Sequence, residues 1–223
     1  MQEYEVRTIP YDEVREWLLF KHYAHRIPSI SFAFGLYDKE LQLVGVCTYG
    51  VPASPSLVSG AISEEYADKF FELNRLVVDD GLPRNTLSFF VATTLKMLPK
   101  PMVVVSYADS EQGHHGYIYQ ATNWLYTGTT KPHLEYSVEG EQNKHSRHLL
   151  DEHGGINEAK AKGVKMSVGQ RSIKYRYFHF LGDKRQRRDM LRKFKYEIIK
   201  EYPKGDNKRY DASYKPSPQG LLF

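Results

Sequence analysis

The sequence predicts a mixed α/β fold: one mixed sheet flanked by helices, with a basic helical extension at its C-terminal end. Three observations carry this. Stretches with strand-like alternation or many β-formers keep exchanging places with stretches whose apolar residues recur at helical spacing. This happens along 223 residues that are 41% hydrophobic, enough for one full domain. A run rich in β-formers folds back around Asp38, Lys39 and Glu40 as a hairpin. Finally, GYIYQATNWLYTG (116–128) takes a helical turn straight into an aromatic strand through Asn123. Asparagine is one of the few non-glycine residues that tolerates the left-handed conformation of an abrupt helix stop.

Element by element, YEVRT (4–8) alternates as a strand, and after Pro10 the segment from Asp12 to about Tyr23 places Val14, Trp17 and Leu18 at helical spacing. The hairpin strands follow. VPASPSLVSGAISEEYADK (51–69) is turn-rich and reads as a surface excursion. Next come a strand (71–78), a helix (86–98), a strand (102–108), the helix of Tyr119 and the strand at Trp124. Residues 131–173 are polar, an insertion with one helical patch. KYRYFHFLG (174–182) alternates strongly and supplies a closing strand beside WLYTG. In the basic stretch from Lys184 to Lys200, Leu191, Phe194 and Ile198 stand at helical spacing. The organisation expected is a core (1–130), an insertion (131–173), the core's closing strand (174–182), and a basic helix and tail (183–223).

The net charge of +4 hides an asymmetry: residues 171–223 hold 15 Lys and Arg against 6 Asp and Glu, a local +9, and the remainder carries −5. Cations in that density favour a polyanion, because they release counterions condensed on phosphates. Interleaved aromatics (Tyr175, Tyr177, Phe178, Phe194, Tyr196) have two readings, stacking on bases or filling the core. The lone cysteine, Cys47, excludes an internal disulfide framework and suits a reducing cytoplasm. No apolar run approaches a membrane span, and the polar start MQEYEVRTIP carries no secretion signal, so a cytoplasmic protein is expected.

Polar residues inside a central strand mark the chemistry. Glu72, Asn74 and Arg75 interrupt FFELNRLVVDD, where a charge is costly unless paired or functional. By strict alternation Glu72 and Asn74 share one face, with Arg75 opposite. They read either as a structural pair at a bulge or as the lining of a polar substrate pocket. The strand MVVVSYAD delivers Ser106 and Asp109 into a polar loop with His114 and His115, and active sites sit at such strand ends. Asp109 reads as a general base or a turn former, and Tyr119 as a proton donor or a satisfied core tyrosine. Arg187 and Arg188 in the basic stretch are candidate DNA contacts. His22, where the first helix breaks beside Tyr23, is the first choice for an iron or zinc ligand, although no histidine spacing here is that of a zinc finger or metalloprotease.

Ile118-Tyr119-Gln120-Ala121-Thr122-Asn123-Trp124 resembles the last conserved segment of the GNAT acyltransferase fold, and the element order of residues 1–130 is similar to that fold. The resemblance implies an acyl donor, acetyl-CoA, admitted where the central strands splay, and a tyrosine that protonates the departing thiolate. The pyrophosphate loop of ordinary acyltransferases is replaced by DDGLPRNTLS, with a single glycine; Arg84, Asn85 and Thr86 at the helix start, and Val77 on the strand before it, are the candidate donor contacts. HYAHRIP, FAFGLYDKELQLVGVCTYG, ELNRLVV, VSYADSEQGHHGYIYQATNWLYTG and KYRYFHFL together resemble the phage Mom family of DNA adenine modification proteins, over about residues 20–182. That resemblance implies transfer of a methylcarbamoyl-type group to the exocyclic amine of adenine in double-stranded DNA, protection from restriction, and action in the host cytoplasm. It places the functional polar residues at His22, Tyr23, Arg75, Asp109 and Tyr119. Two other functions stay open: a conventional GNAT N-acetyltransferase for a protein or small-molecule amine, and a catalytically inactive binding module.

Overall fold

A computed structural model describes residues 4–139 and 150–206. Its strands are β1 (Glu5–Thr8), β2 (Phe32–Tyr37), β3 (Leu43–Gly50), β4 (Phe70–Val78), β5 (Met102–Asp109), β6 (Leu125–Thr129), β7 (His133–Val138), β8 (Met166–Arg171) and β9 (Lys174–Leu181). The helices are α1 (Tyr11–Glu16), α2 (Pro55–Ala61), α3 (Thr86–Met97), α4 (Tyr117–Ala121), α5 (Ile156–Ala161) and α6 (Lys184–Lys193). Seven strands form one sheet in the order β1-β2-β3-β4-β5-β9-β6, and β7 and β8 pair separately as a two-stranded ribbon. All neighbours in the large sheet are antiparallel except β4 and β5. This is the mixed sheet flanked by helices that the sequence predicts, with β9 inserted between β5 and the edge strand β6.

Alternation along β9 sorts the core into two layers. Tyr177 and Leu181 join Phe90, Leu95 and Trp124 in a layer under α3 and α4. Phe178 and Phe180 join Ile62, Tyr66, Phe70 and Met190 under α2 and α6. Val14, Leu18, Val46 and Val77 form a third cluster beneath α1. No helix among the described residues is long and apolar enough to cross a membrane.

Several expectations need correction. The 51–69 stretch is helical: α2 and a 3-10 turn (Glu64–Lys69) bury Ala61, Ile62 and Tyr66, so apolar burial overrides its turn-rich composition. The first helix changes at Trp17 to a π-helical turn (Trp17–Lys21) that ends at His22, whose N–H donates to the Trp17 carbonyl at 3.0 Å. The basic helix stops at Lys193 because Phe194 is already extended (ψ 133°), and it buries Met190 while Leu191 is 42% and Ile198 40% exposed. Residues 194–206 instead run as a strap over the sheet. Phe194 and Tyr196 pack on Phe178, the Ile199 N–H donates to the Tyr126 carbonyl, and the Tyr202 hydroxyl donates to the Trp124 carbonyl at 2.8 Å. Residues 140–149 of the insertion lie outside the described residues, and its described part holds the ribbon and α5.

The strap also fastens α4. Tyr117 donates to the Gly205 carbonyl at 2.6 Å, and Gln120 donates to the Pro203 carbonyl at 3.2 Å and to the His115 carbonyl at 3.1 Å. Gly116 caps α4 at φ +79°, and a Cβ there would sit 2.4 Å from the Tyr177 ring. Gly116→Ala combines a disfavoured backbone with a clash. It is expected to destabilise the protein by at least about 2 kcal/mol, read as a lowered melting temperature.

Candidate active site

The central strands pair for only three residues before they part: Phe70, Phe71 and Glu72 of β4 against Val103, Val104 and Val105 of β5. Beyond that point β4 stays on β3, and β5 stays on β9. The register of β3 slips between Thr48 and Tyr49, leaving Asn74 as the extra residue of a β-bulge, a feature that bends and twists a strand. The bulge also reverses the alternation. Leu73 packs in the α3 layer while Val77, four residues on, packs beneath α1. Arg75 therefore comes onto the face of Glu72, which corrects the expectation that it points the opposite way. Between the parted strands lies a cavity of about 1150 Å³ that opens to both sides of the sheet.

Tyr119 stands at this opening. Asn123, left-handed at φ 61°, stops α4 as its sequence predicts, and the Trp124 N–H returns to the Tyr119 carbonyl at 2.9 Å. The Tyr119 ring is fixed between Trp124 and Tyr177, with centroids 5.1 and 5.0 Å away. Its hydroxyl lies 2.8 Å from the Ser106 hydroxyl, which lies 2.7 Å from the Leu73 carbonyl where the strands part. A carbonyl only accepts, so the single Ser106 proton goes to Leu73 and the Tyr119 hydroxyl donates to Ser106. Burial raises the Tyr119 pKa, offset only in part by Ser106, so the hydroxyl keeps its proton at neutral pH. Ser106→Ala strands the Leu73 carbonyl and unfixes the phenol. It is expected to cost about 1–3 kcal/mol of stability and roughly tenfold in activity, measured by thermal melting and product analysis.

On the α1 side, His22 is 4% exposed and stacks on Tyr23 at 4.5 Å between centroids. Its Nδ1 accepts from the Ala24 N–H at 3.1 Å, which leaves the ring proton on Nε2. Burial, and then the charges of Arg75, His25, His114 and Lys174, hold the His22 pKa well below its ordinary 6.5. Burial likewise raises the Tyr23 pKa, Asp109 adding to the effect. The Arg75 guanidinium donates to the Arg26 carbonyl at 3.3 Å and to the Asn74 carbonyl at 2.6 Å, while Asn74 accepts from Thr48 at 2.7 Å. These residues do not fit an iron or zinc site. Among the described residues no three His, Cys, Asp or Glu side chains gather around one point, and His22 sits among cations that repel another. With a depressed folded pKa, neutral His22 stabilises the fold above pH 6.5, and that contribution is lost as pH falls below the unfolded value. The unfolding free energy is expected to drop on acidification by at most about 1.4 kcal/mol per pH unit for this histidine. His22→Gln should flatten the profile in a pH series of denaturant melts. His179, which burial pulls down to about 4, contributes with the same sign and remains in that variant.

At the other end, Asn85, itself left-handed at φ 73°, starts α3, and no side chain caps the helix. Leu82, Pro83, Asn85, Thr86 and Ser88 line the cavity there, so an uncapped helix start faces it, an arrangement suited to a phosphate.

The sequence profile of the Mom protein family matches residues 3–204, nearly the whole chain. This protein belongs to the Mom family. It is 28% identical over 209 residues to the methylcarbamoylase mom of Escherichia phage Mu, covering 91% of this chain and 85% of that protein. Membership makes it an acyltransferase-like enzyme. Solved structures of similar outline include the ribosomal-protein-S5-alanine acetyltransferase of Vibrio fischeri, with TM-score 0.48 and 11% identity over 82% of this chain and 96% of that one. Another is the spermidine N-acetyltransferase of Vibrio cholerae in complex with CoA and spermine, with TM-score 0.46 and 7% identity over 84% and 99%.

Of the residues singled out by sequence, the cleft brings together His22, Tyr23, Glu72, Asn74, Arg75, Val77, Asn85, Thr86, Ser106, His114 and Tyr119. Ser106, 1% exposed, acts on Tyr119 and Leu73. Asp109 lies outside the lining. Burial would raise its pKa, but Lys174 at 3.0 Å, Ser172 and the Glu111 N–H more than offset that and keep it ionised, which makes it a weak base. His115 turns away to stack on Tyr175, and Arg84, Arg187 and Arg188 are exposed side chains beyond the cavity. Sequence reasoning missed Lys174 and Arg176, which line the cavity together with Tyr107, on the strand MVVVSYAD, and Tyr196, one of the interleaved aromatics read as base-stacking or core. The available signal was two cations at alternate positions opening an otherwise aromatic strand.

Proposed function

We propose that this protein modifies DNA, transferring a methylcarbamoyl-type group to the exocyclic amine of adenine in double-stranded DNA and so shielding phage DNA from restriction in the host cytoplasm. The observation that carries this reading is the proton-bearing Tyr119 hydroxyl, fixed through Ser106 at the point where β4 and β5 part in a Mom-family chain. The cavity has two unlike ends. Asn85 and Thr86 line the α3 end, which suits the phosphates of an acyl-CoA-type donor, while the Val77 side chain turns beneath α1; such a thioester would supply an activated carbonyl there, and to yield a methylcarbamoyl group the donor must itself carry the N-methyl nitrogen that the acetyl group of acetyl-CoA lacks. Arg75, Lys174 and Arg176 make the other end cationic, suited to the flipped nucleotide of a polyanion. Tyr119 holds its proton on Oη for a departing group, His22 and Tyr23 set the wall beside Arg75, and the Lys174–Asp109 ion pair fixes Lys174 at the mouth. Residues 1–130 with 174–182 make the chemical core in this reading, and the basic surface of α6, including Arg187 and Arg188, holds the phosphate backbone.

Digesting DNA from cells that express the protein to nucleosides should yield a deoxyadenosine of increased mass. Unmodified deoxyadenosine, together with acetylation of a polyamine or peptide by the purified protein, would favour the conventional N-acetyltransferase.

A further inference from the structure

We propose that the Arg176 guanidinium, backed by the Tyr196 ring, is a fixed flat platform on which the acceptor base stacks once it has left its duplex. The inference rests on the nucleic-acid reading above and assigns the residues that grip the base. The Arg176 Cζ lies 3.7 Å above the centre of the Tyr196 ring. Its Nε donates to the Thr127 hydroxyl at 3.0 Å and its Nη2 to the Thr127 carbonyl at 2.9 Å, while that hydroxyl donates to the Arg176 carbonyl at 3.2 Å. Behind Tyr196, Phe178 stacks at 5.7 Å and Phe194 packs at 5.9 Å, and the Lys195 N–H next to it is tied to the Ala61 carbonyl at 2.9 Å.

An arginine kept only for its charge has no need of this fixing. Four elements hold the plane of this one: β6, β9, the strap and the C-terminal end of α2. Both Arg176 and Tyr196 line the cavity, and β9 alternation puts Arg176 on the side of Phe178, across the sheet from α3 and the candidate donor end. A pre-set guanidinium plane loses little rotamer freedom on binding, and bases stack on such planes and on aromatic rings. Lysine keeps the charge but has no plane.

The test measures fluorescence anisotropy of the full chain with two labelled single strands, an oligodeoxyadenylate of about twelve nucleotides and an abasic strand of equal length, across a salt series. Single strands avoid the cost of unstacking a duplex. The wild type is expected to prefer the adenine strand. Arg176→Lys should lose about tenfold of that preference with an unchanged salt slope, and Tyr196→Phe, which keeps the ring, should retain it. Thr127→Val, which removes the Nε partner while the backbone carbonyl still holds Nη2, should lose part of the preference; thermal melts confirm that each variant is folded. Arg176→Lys with full base preference overturns the platform and leaves the DNA reading standing. A wild type that binds both strands equally also overturns it, and one that binds neither removes the DNA reading as well.

Discussion

Tyr119→Phe is expected to lower adenine modification by about a hundredfold or more while the protein stays folded. General acid catalysis contributes about 10²- to 10⁴-fold, and the substitution deletes only the proton-bearing atom. The ring keeps its places against Trp124 and Tyr177. Ser106 loses one partner but still donates to the Leu73 carbonyl, so the stability change should stay within about 1.5 kcal/mol. Nucleoside mass spectrometry after a fixed time of expression gives the modified fraction, and a thermal melt gives the stability. A modified fraction equal to wild type would transfer the acid role elsewhere. An undiminished phenotype with no modified base in either protein would make the chain a binding module.

Ending the chain after Lys193 is the second large effect, and it acts on stability before chemistry. A positive tail suggests a detachable arm. The strap contradicts this, because it removes Phe178 from water through Phe194 and Tyr196, and ties α4 through Tyr117 and Gln120. Losing one buried large aromatic costs about 3–5 kcal/mol, and a domain's whole margin is about 5–15 kcal/mol. The truncated protein is expected to lose its cooperative melt and its activity together. A soluble, active, cooperatively folded truncation would show that the strap is dispensable. The charge of α6 is separable by substitution instead: Arg187→Gln with Arg188→Gln, both at exposed positions, should weaken DNA binding, reduce its salt slope by about 2 and leave the melt unchanged.

How much of this was legible in the sequence depended on whether a local rule decided the matter. Asn123 was readable because a left-handed stop is a one-residue requirement, and the hairpin at Asp38–Glu40 because two β-rich runs flank a short polar turn. The face of Arg75 was not readable, since strand alternation assumes unbroken pairing and the bulge at Asn74 arises from the match with β3. The π-helical turn before His22 similarly depends on packing around Trp17 and Leu18. Across the end of α6 and the strap, Leu191, Phe194 and Ile198 satisfied helical spacing while Phe194 and Tyr196 satisfied strand spacing. The aromatic surface of Phe178 and Phe180, remote in local context, decided between them. Asp109 was legible as a carboxylate at a strand end but not as a tied one, because its partner Lys174 arrives from β9, 65 positions later.

The most direct measurement places wild type and Tyr119→Phe side by side: DNA from cells expressing each is digested to nucleosides and weighed by mass spectrometry. A tyrosine acid at the parted strands of a DNA-modifying enzyme predicts a heavier deoxyadenosine from the wild type and almost none from the variant. Equal amounts from both, or ordinary deoxyadenosine alone from the wild type, would contradict it.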